Sequence, residues 1–584
     1  MITDAHVNLF PLPAPLTDPW PKLGGLLSVL GEAGISRAIA CASGPVSGCS
    51  TEEFLRWNGL MAQLGRQHGG LVPAAIVHPS SQGEACPILR HCREVLDMRF
   101  VGELFDQGSG FLWPDPHYDN ILGLAVELRM VPIIHCASGV ARTIAERYPS
   151  GKFIIAHLAT EDEPIATRLE TIAGLENLFL GISGDDMGPG RWLRMAVEML
   201  GPERVIFGSG WPAAMDPVIA VECVRLSGLP EKVQETVFNG AFESLLDWTD
   251  STSSPYHHGS HAHAITTLLS GTNAVRQRVP EGGVDDPSDP DPQGLQQQDS
   301  PDSARSCKGA LRSGKTGQTS LTDALPAEHG AAMAITDAQT HLFHLDPPPP
   351  VNCPALDEHL AILSAAGVTR VLAGPGWRSP DLSAAEYIRW NDLIAESCAK
   401  QACVIPAAAV HTSLQGEACD VLRYCHEELG MRFTQELFDR WAGFSWPDPY
   451  YDMILELAVE LRMVPVIHCE NEVARIIGER YPEGRFIIPH LATTYESLAS
   501  RLETLAGLEN LFLNICGHQM SYRGWVRQAV ETLGPERVLF GSDWGAALDP
   551  VIAVECVRRS GIPEQSQRSV FDGTFQRLMD WTNP

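Results

Sequence analysis

The feature that most constrains this chain is an internal repeat. Ile2-Thr3-Asp4-Ala5 recurs as Ile335-Thr336-Asp337-Ala338, an offset of 333 residues, and the same offset holds throughout. Arg56-Trp57-Asn58 matches Arg389-Trp390-Asn391, Glu103-Leu104-Phe105 matches Glu436-Leu437-Phe438, and Phe207-Gly208-Ser209 matches Phe540-Gly541-Ser542. No net insertion separates these landmarks, so both copies are expected to adopt one fold. The 584 residues therefore divide into a first copy, 1–251, a spacer, 252–333, and a second copy, 334–584. About 250 residues per copy is the size of one barrel rather than of several average domains.

The spacer is rich in Ser, Pro, Asp, Gln and Gly and cannot bury enough apolar area to offset its ordering entropy, so it reads as a flexible, disordered linker. Its histidines, His257, His258, His261 and His263, have no cysteine or carboxylate partners at ligand spacing and read as linker polarity, not as a metal site. Nine acidic and six basic residues give the spacer little of the net charge of −30, which belongs to the copies. Such a chain lacks the basic field that phosphate contacts need, which disfavours nucleic acid as a partner. No apolar run approaches the ~18 residues of a membrane span, and Met1-Ile2-Thr3-Asp4-Ala5-His6 has neither a basic nor an apolar leader region. The 15 cysteines include no CxxC pair and fall in helix and strand segments, which suits reduced, structural thiols. A soluble cytoplasmic protein acting on a small molecule is expected, with no membrane contact.

Within the first copy, short β-branched runs at 2–8, 37–42, 72–78, 100–105, 131–136, 153–157, 178–183 and 205–209 alternate with amphipathic stretches such as 52–66, 118–129 and 165–173. Eight βα units in that length favour a closed (β/α)8 barrel. The alternative, an open nucleotide-binding sheet, would need a GxGxxG or P-loop after a strand, and none follows. The fold class is thus α/β, two TIM barrels in tandem.

Active groups of such barrels lie at the C-terminal ends of the strands. The first copy offers His6, Asn8, His78, Glu103, His135 and His157 there and closes with Gly208-Ser209-Gly210-Trp211. The second offers Gln339, His341, His411, Glu436, His468 and His490 and closes with Gly541-Ser542-Asp543-Trp544. Imidazoles and carboxylates converging on one rim suit a divalent transition metal. Blander readings hold elsewhere. His78 and His411 read as satisfied strand-end groups, and Asp216 and Asp549, each before a proline, read as helix N-caps. Trp113-Pro114-Asp115-Pro116 and Trp446-Pro447-Asp448-Pro449 read as rigid rim loops.

The Asp-x-His-x-His type opening, the histidines ending strands five and six, and the closing Arg537-Val538-Leu539-Phe540-Gly541-Ser542-Asp543-Trp544 resemble the amidohydrolase superfamily. The branch is the one that includes aminocarboxymuconate-semialdehyde decarboxylase and pyrone-dicarboxylate lactonase. The resemblance spans both copies and omits only the spacer. It implies a divalent metal, zinc or alternatively manganese, held by two strand-one histidines, the strand-five histidine and the strand-eight aspartate, with the strand-six histidine moving protons. Similarity to the Gly-Glu position of TatD-type nucleases adds Glu103 and Glu436 to the implied metal ligands. Neither copy matches in full. In the first, His6, His135, Glu103 and His157 fit, but Asn8 and Gly210 replace a histidine and the aspartate. In the second, His341, His468, Asp543 and Glu436 fit as ligands and His490 as the proton carrier, with Gln339 replacing one histidine. The resemblance thus implies a metal-dependent hydrolase of a small carboxylated or cyclic substrate, active mainly in the second barrel. Decarboxylation in the same site is the chemical alternative, and an inactive tandem barrel kept for ligand binding or scaffolding is the alternative of another class. Intramolecular pairing of the barrels and homo-oligomerisation both remain open.

Overall fold

Runs such as Phe153-Ile154-Ile155-Ala156, buried at every position, are what a parallel strand covered on both faces requires. The computed structural model describes residues 1–11, 20–43, 49–105, 113, 115–158, 163–183, 190–212, 214–251, 333–343, 355–375, 382–438, 448–493, 497–544 and 547–583. The linker reading of 252–332, with its four histidines, lies outside these residues, as do Pro114, Trp446 and Pro447.

In the first half, eight parallel strands pair in chain order: β1 (Thr3–Pro11), β2 (Arg37–Ser43), β3 (Leu71–Ala75), β4 (Phe100–Phe105), β5 (Val131–His135), β6 (Phe153–Ala156), β7 (Leu178–Gly181) and β8 (Val205–Ile206). The ring closes where Ala5 N–H donates to Phe207 O at 2.8 Å and Val7 bridges Trp211. In the second half, β9 (Thr336–Phe343), β10 (Arg370–Pro375), β11 (Val404–Ala408) and β12 (Phe433–Thr434) form one ladder. β13 (Leu437–Phe438) pairs with β14 (Ile467–His468), and β15 (Phe486–Pro489), β16 (Leu511–Asn514) and β17 (Val538–Leu539) form a third ladder. Single bridges, Phe433 to Val464, Val466 to Ile487 and Thr340 to Trp544, join these ladders into a second ring. The fold is thus two (β/α)8 barrels in tandem, as the repeat and the strand count predict. Strand three is shorter than expected, ending at Ala75 and leaving His78 in the following turn.

The outer helices turn one apolar stripe inward. Helix Trp525–Leu533 buries Val526, Ala529, Val530 and Leu533, the spacing of one helical face. The N-terminal end of each barrel is plugged. Phe242 of helix Ala241–Asp250 stacks on Phe100 at 5.7 Å, and Phe575 of helix Thr574–Thr582 stacks on Phe433 at 4.9 Å. Only the opposite rim of each ring is left for chemistry.

Residues 1–251 and 333–584 form a single compact unit. Helices Pro217–Arg225 and Pro550–Arg558, equivalent under the 333-residue offset, pack against each other. The repeat therefore meets itself through matching surfaces, as a symmetric dimer does. All 13 described cysteines are free, and among the described residues no helix is long and apolar enough to cross a membrane.

The Arg-Trp-Asn motif has a structural explanation. Asn391 is fully buried; its amide donates to Tyr387 O at 2.9 Å and Ala409 O at 2.9 Å, and its carbonyl accepts from Ala409 N–H at 2.8 Å. Asn58 does the same with Phe54 and Ile76. The asparagine replaces backbone partners that the chain loses where it leaves strand three. Asn391→Ala strands a buried N–H and a buried C=O, and the expected loss is about 2–4 kcal/mol of unfolding free energy. Urea titration followed by tryptophan fluorescence measures it, and Asn391→Asp, which keeps the acceptor alone, should fall between the two.

Candidate metal centre

Backbone irregularity aims the central carboxylate of each half. In the first, the β4–β5 register shifts between Val101 and Leu104, a bulge that turns Glu103 into the rim. Gly102 lies there at φ +133°, and a Cβ would stand 2.7 Å from Ile133 O, so glycine is required. In the second, Gln435 and Glu436 separate β12 from β13. Gln435 lies over Gly374 and approaches His341 Nδ1 with its amide nitrogen at 3.3 Å.

Two further groups hold the rim together. Asp337 accepts from Gln339 N–H at 3.2 Å, Ser542 N–H at 2.9 Å and Ser542 Oγ–H at 2.5 Å. Asp4 likewise accepts from His6 N–H and Ser209 N–H, both at 3.0 Å. Burial pushes these carboxyls up, Asp337 to about 7 and Asp4 to about 6, against the pull of the hydrogen bonds. The opening aspartate therefore ties strand one to the strand-eight loop. Arg168 and Arg501, fully buried on helices Ile165–Ile172 and Leu498–Ala506, bind strand-end carbonyls. Arg168 donates to His157 O at 3.1 Å, Cys136 O at 3.0 Å and Ala156 O at 3.2 Å, and Arg501 donates twice to Cys469 O at 3.0 Å.

In the second half, Glu436, His468 and His490 present ligand atoms within 4.8 Å of one another. Glu436 is 2% exposed, and its Oε1 makes no hydrogen bond. Three imidazole nitrogens nonetheless face that carboxylate: His468 Nδ1 at 3.6 Å, His490 Nε2 at 3.7 Å and His341 Nε2 at 3.8 Å. Burial pushes the Glu436 carboxyl up, but the imidazoles outweigh burial and hold it at about 2. His341 Nε2 bonds Asp543 Oδ1 at 2.8 Å. His490 Nδ1 lies 3.4 Å from Cys516 O and 3.5 Å from Cys516 Sγ. The carbonyl can only accept, so it favours a hydrogen on Nδ1, and Nε2 faces Glu436. Burial opposes protonation of His490, yet Cys516 and the carboxylate at its side raise its pKa above the ordinary range; burial takes His468 down to about 4. Gln339 Nε2 and both amide atoms of Asn514 are buried and make no hydrogen bond.

The first half closes differently. His6 Nε2 meets Glu103 Oε2 at 2.9 Å, and Ser183 Oγ binds His6 Nδ1 at 3.0 Å and His157 Nδ1 at 2.7 Å. His157 Nε2 stands 3.7 Å from Glu103 Oε1, and its ring lies edge-on to His135 at 5.1 Å. Burial opposes the charges of this pair, but each partner outweighs it: Glu103 is held at about 2 and His6 is raised. His157 is driven down to about 3 by burial and by the charge of His6.

The expected site residues therefore converge in both halves, although His135 stands outside the tight group of His6, Glu103 and His157. His490 joins Glu436 as closely as His468 does, which the division into metal ligands and proton carrier does not anticipate. Three of the bland readings fit their contacts: His411 accepts from Ser413 N–H at 3.0 Å, and Asp216 and Asp549 cap helices through Val218 and Val551. Sequence reasoning missed Gln435, Cys516, Ser183 and the buried arginines. Only the arginines leave a signal, since Arg168 falls within the apolar stripe of Ile165, Leu169 and Ile172.

A family model described as Amidohydrolase matches residues 44–242 and 337–571, well over half of the chain and both barrels. The chain belongs to the amidohydrolase family. Among solved structures, this amidohydrolase is similar to 2,6-dihydroxybenzoate decarboxylase from Rhizobium, at 15% identity over 42% of this chain and 99% of that one, with a TM-score of 0.33. It is also similar to 4-oxalomesaconate hydratase from Rhodopseudomonas palustris, at 16% identity over 42% and 96% of the chains, with a TM-score of 0.35. A dihydroxybenzoic acid decarboxylase from a Polaromonas species, solved with bound manganese, matches at 16% identity over 43% and 98%, with a TM-score of 0.34. A search of curated proteins finds no match.

The first-half pair has a defined pH window. Glu103, ordinarily at 4.5, is lowered, so its contribution to stability is complete above that value and fades as pH falls toward 2. His6 is raised from 6.5, so its contribution is complete below that value and fades as pH rises through the raised pKa. Glu103→Gln should cost about 3–5 kcal/mol between those limits, where both partners are charged, and less on either side. Urea unfolding of both proteins across pH 3–9 measures the difference.

Proposed function

We propose that the second barrel is a metal-dependent hydrolase of a small carboxylated or cyclic substrate. One observation carries the reading. Glu436 is buried without a hydrogen bond to Oε1, yet three imidazole nitrogens surround it at 3.6–3.8 Å. That spacing is too long for hydrogen bonds and suits ligands that share a cation at about 2.0–2.2 Å from each. Asp543 adds a second buried carboxylate, so two negative charges match one divalent ion.

His341, His468, Glu436 and Asp543 would hold the ion. Its ligand types favour zinc, with manganese the alternative. A bound dication supplies Lewis acidity toward a carbonyl oxygen and toward water. To serve as a ligand, His341 Nε2 would release its hydrogen bond to Asp543, and His490 would act from its neutral form. His490 then faces the centre with a free Nε2 lone pair, because Cys516 O holds the hydrogen on Nδ1. It takes a proton from the attacking water and passes it to the leaving group. The unpaired amides of Gln339 and Asn514 offer donors for substrate oxygens.

The closed His6–Glu103 contact and the absence of an aspartate at Gly210 favour a non-catalytic first half. Elemental analysis of the full-length protein should find about one divalent ion per chain. Glu436→Gln and Asp543→Asn should abolish it, while His6→Gln should leave it unchanged. An empty wild-type protein after growth with zinc or manganese, or a loss on His6→Gln alone, would refute the assignment.

A further inference from the structure

The loop that follows β16 touches two places at once. At its start, Cys516 O and Sγ lie against His490 Nδ1 at 3.4 and 3.5 Å. Gly517 follows at φ +85°, and a Cβ there would come within 2.9 Å of the same nitrogen, so the backbone itself is packed against the imidazole. The next residues form the single turn His518–Ser521, whose Met520 and Ser521 are buried and whose Ser521 hydroxyl donates to His518 O at 2.6 Å.

At its far end the loop meets the first half. Asp216 N–H donates to Ser521 O at 2.9 Å. Arg523 spans two first-half carboxylates, with Nη1 at 3.2 Å from Asp216 Oδ2 and Nη2 at 2.5 Å from Glu32 Oε2. A cavity of about 450 Å³ lies between these residues and is lined by Met520, Ser521, Tyr522 and Arg523. The cavity interrupts close packing on the outer side of the loop, so the polar bonds of Arg523 and Ser521 add to the burial of Met520 and the edge-on contact of Tyr522 with Trp525 at 4.8 Å. In the first copy Gly190 stands at the equivalent position and Arg191 follows it, where with Arg194 it lies within electrostatic reach of Asp549, the counterpart of Asp216.

We infer that the first barrel serves as a clamp for the second-barrel centre: Arg523, gripped by Asp216 and Glu32, fixes the strand-seven loop that orients His490 through Cys516 and Gly517. Arg523 is thus a positioning residue. The role of His490 in proton transfer rests on the proposed function, whereas the clamp does not. The clamp also gives a reason to keep a barrel whose own ligand set is incomplete.

The test uses full-length protein and the thiol of Cys516, which is buried while the loop is closed. Iodoacetamide labelling, followed peptide by peptide by mass spectrometry, reports loop opening without needing metal or substrate. Arg523→Met should label Cys516 about tenfold faster and increase amide exchange across 515–523, with Cys425 and Cys469 of the same barrel unchanged. Arg523→Lys, which can reach only one of the two carboxylates at a time, should restore part of the protection, and Asp216→Asn should lose part of it. Unchanged Cys516 labelling in Arg523→Met, or an equal rise at Cys425, overturns the clamp. If wild-type protein holds no metal yet Arg523→Met still opens the loop selectively, the hydrolase reading fails and the clamp stands. If metal is held and Cys516 stays protected, the reverse is true.

Discussion

A carboxylate buried in the mouth of a parallel barrel costs several kcal/mol unless something neutralises it. Both halves place a glutamate there, at Glu103 and Glu436, with side chains 3% and 2% exposed. In the first half His6 closes on Glu103 at 2.9 Å, and each partner shifts the other's pKa toward the charged form. In the second half the equivalent of His6 is Gln339, which cannot take a charge, and among the described residues no imidazole closes on Glu436 to better than 3.6 Å. Asp543 adds a further carboxylate where the first half has Gly210. One fold thus presents one carboxylate paired from within and one ringed by imidazoles at 3.6–3.8 Å without a hydrogen bond to its Oε1. The exchanges at 6/339, 8/341, 183/516 and 210/543 distinguish them.

Much of this was legible because it is local. Strands β4, β5 and β6 lie close to their expected spans, since continuous apolar runs bounded by polar residues announce buried parallel strands. The strand-end histidines and glutamates converge because a closed barrel brings every strand end to one rim. The rest depends on contacts between residues far apart in sequence. Nothing near Cys516 says that it faces His490, and nothing near Gln435 says that it reaches His341. Asp337 sits inside the opening motif, but its role as a tie depends on Ser542, 205 residues away. Arg501 is the intermediate case. Its place on the apolar face of a helix breaks the pattern visibly, yet its partner, Cys469 O, emerges only in three dimensions.

The supports around the two centres are better preserved than the centres. Both copies keep the aspartate tie, the buried arginine, the asparagine behind strand three and the paired phenylalanines at the floor. These groups keep buried polar atoms paired and the ring closed, so a change at any of them is felt through the whole barrel. Rim residues answer only to charge balance at one point. A rim side chain can change there whenever a neighbour restores neutrality, as His6 does for Glu103.

The contact between the halves gives each barrel a structural role apart from the chemistry of its rim. Helix Pro217–Arg225 packs on helix Pro550–Arg558, with the buried Cys223 and Cys556 within electrostatic reach of each other across the contact. An apolar face of that kind favours retention of the covering barrel whatever its chemistry. Because the interface is built from matching elements of a repeat, it does not depend on the rim ligands of either half. The fold requirement therefore binds both copies equally, while the side chains at the two rims are free to differ, as they do at 6/339, 8/341 and 210/543. A polar contact such as Arg523 with Asp216 and Glu32 then ties the fold to one rim, because it joins the retained barrel to the loop that faces His490.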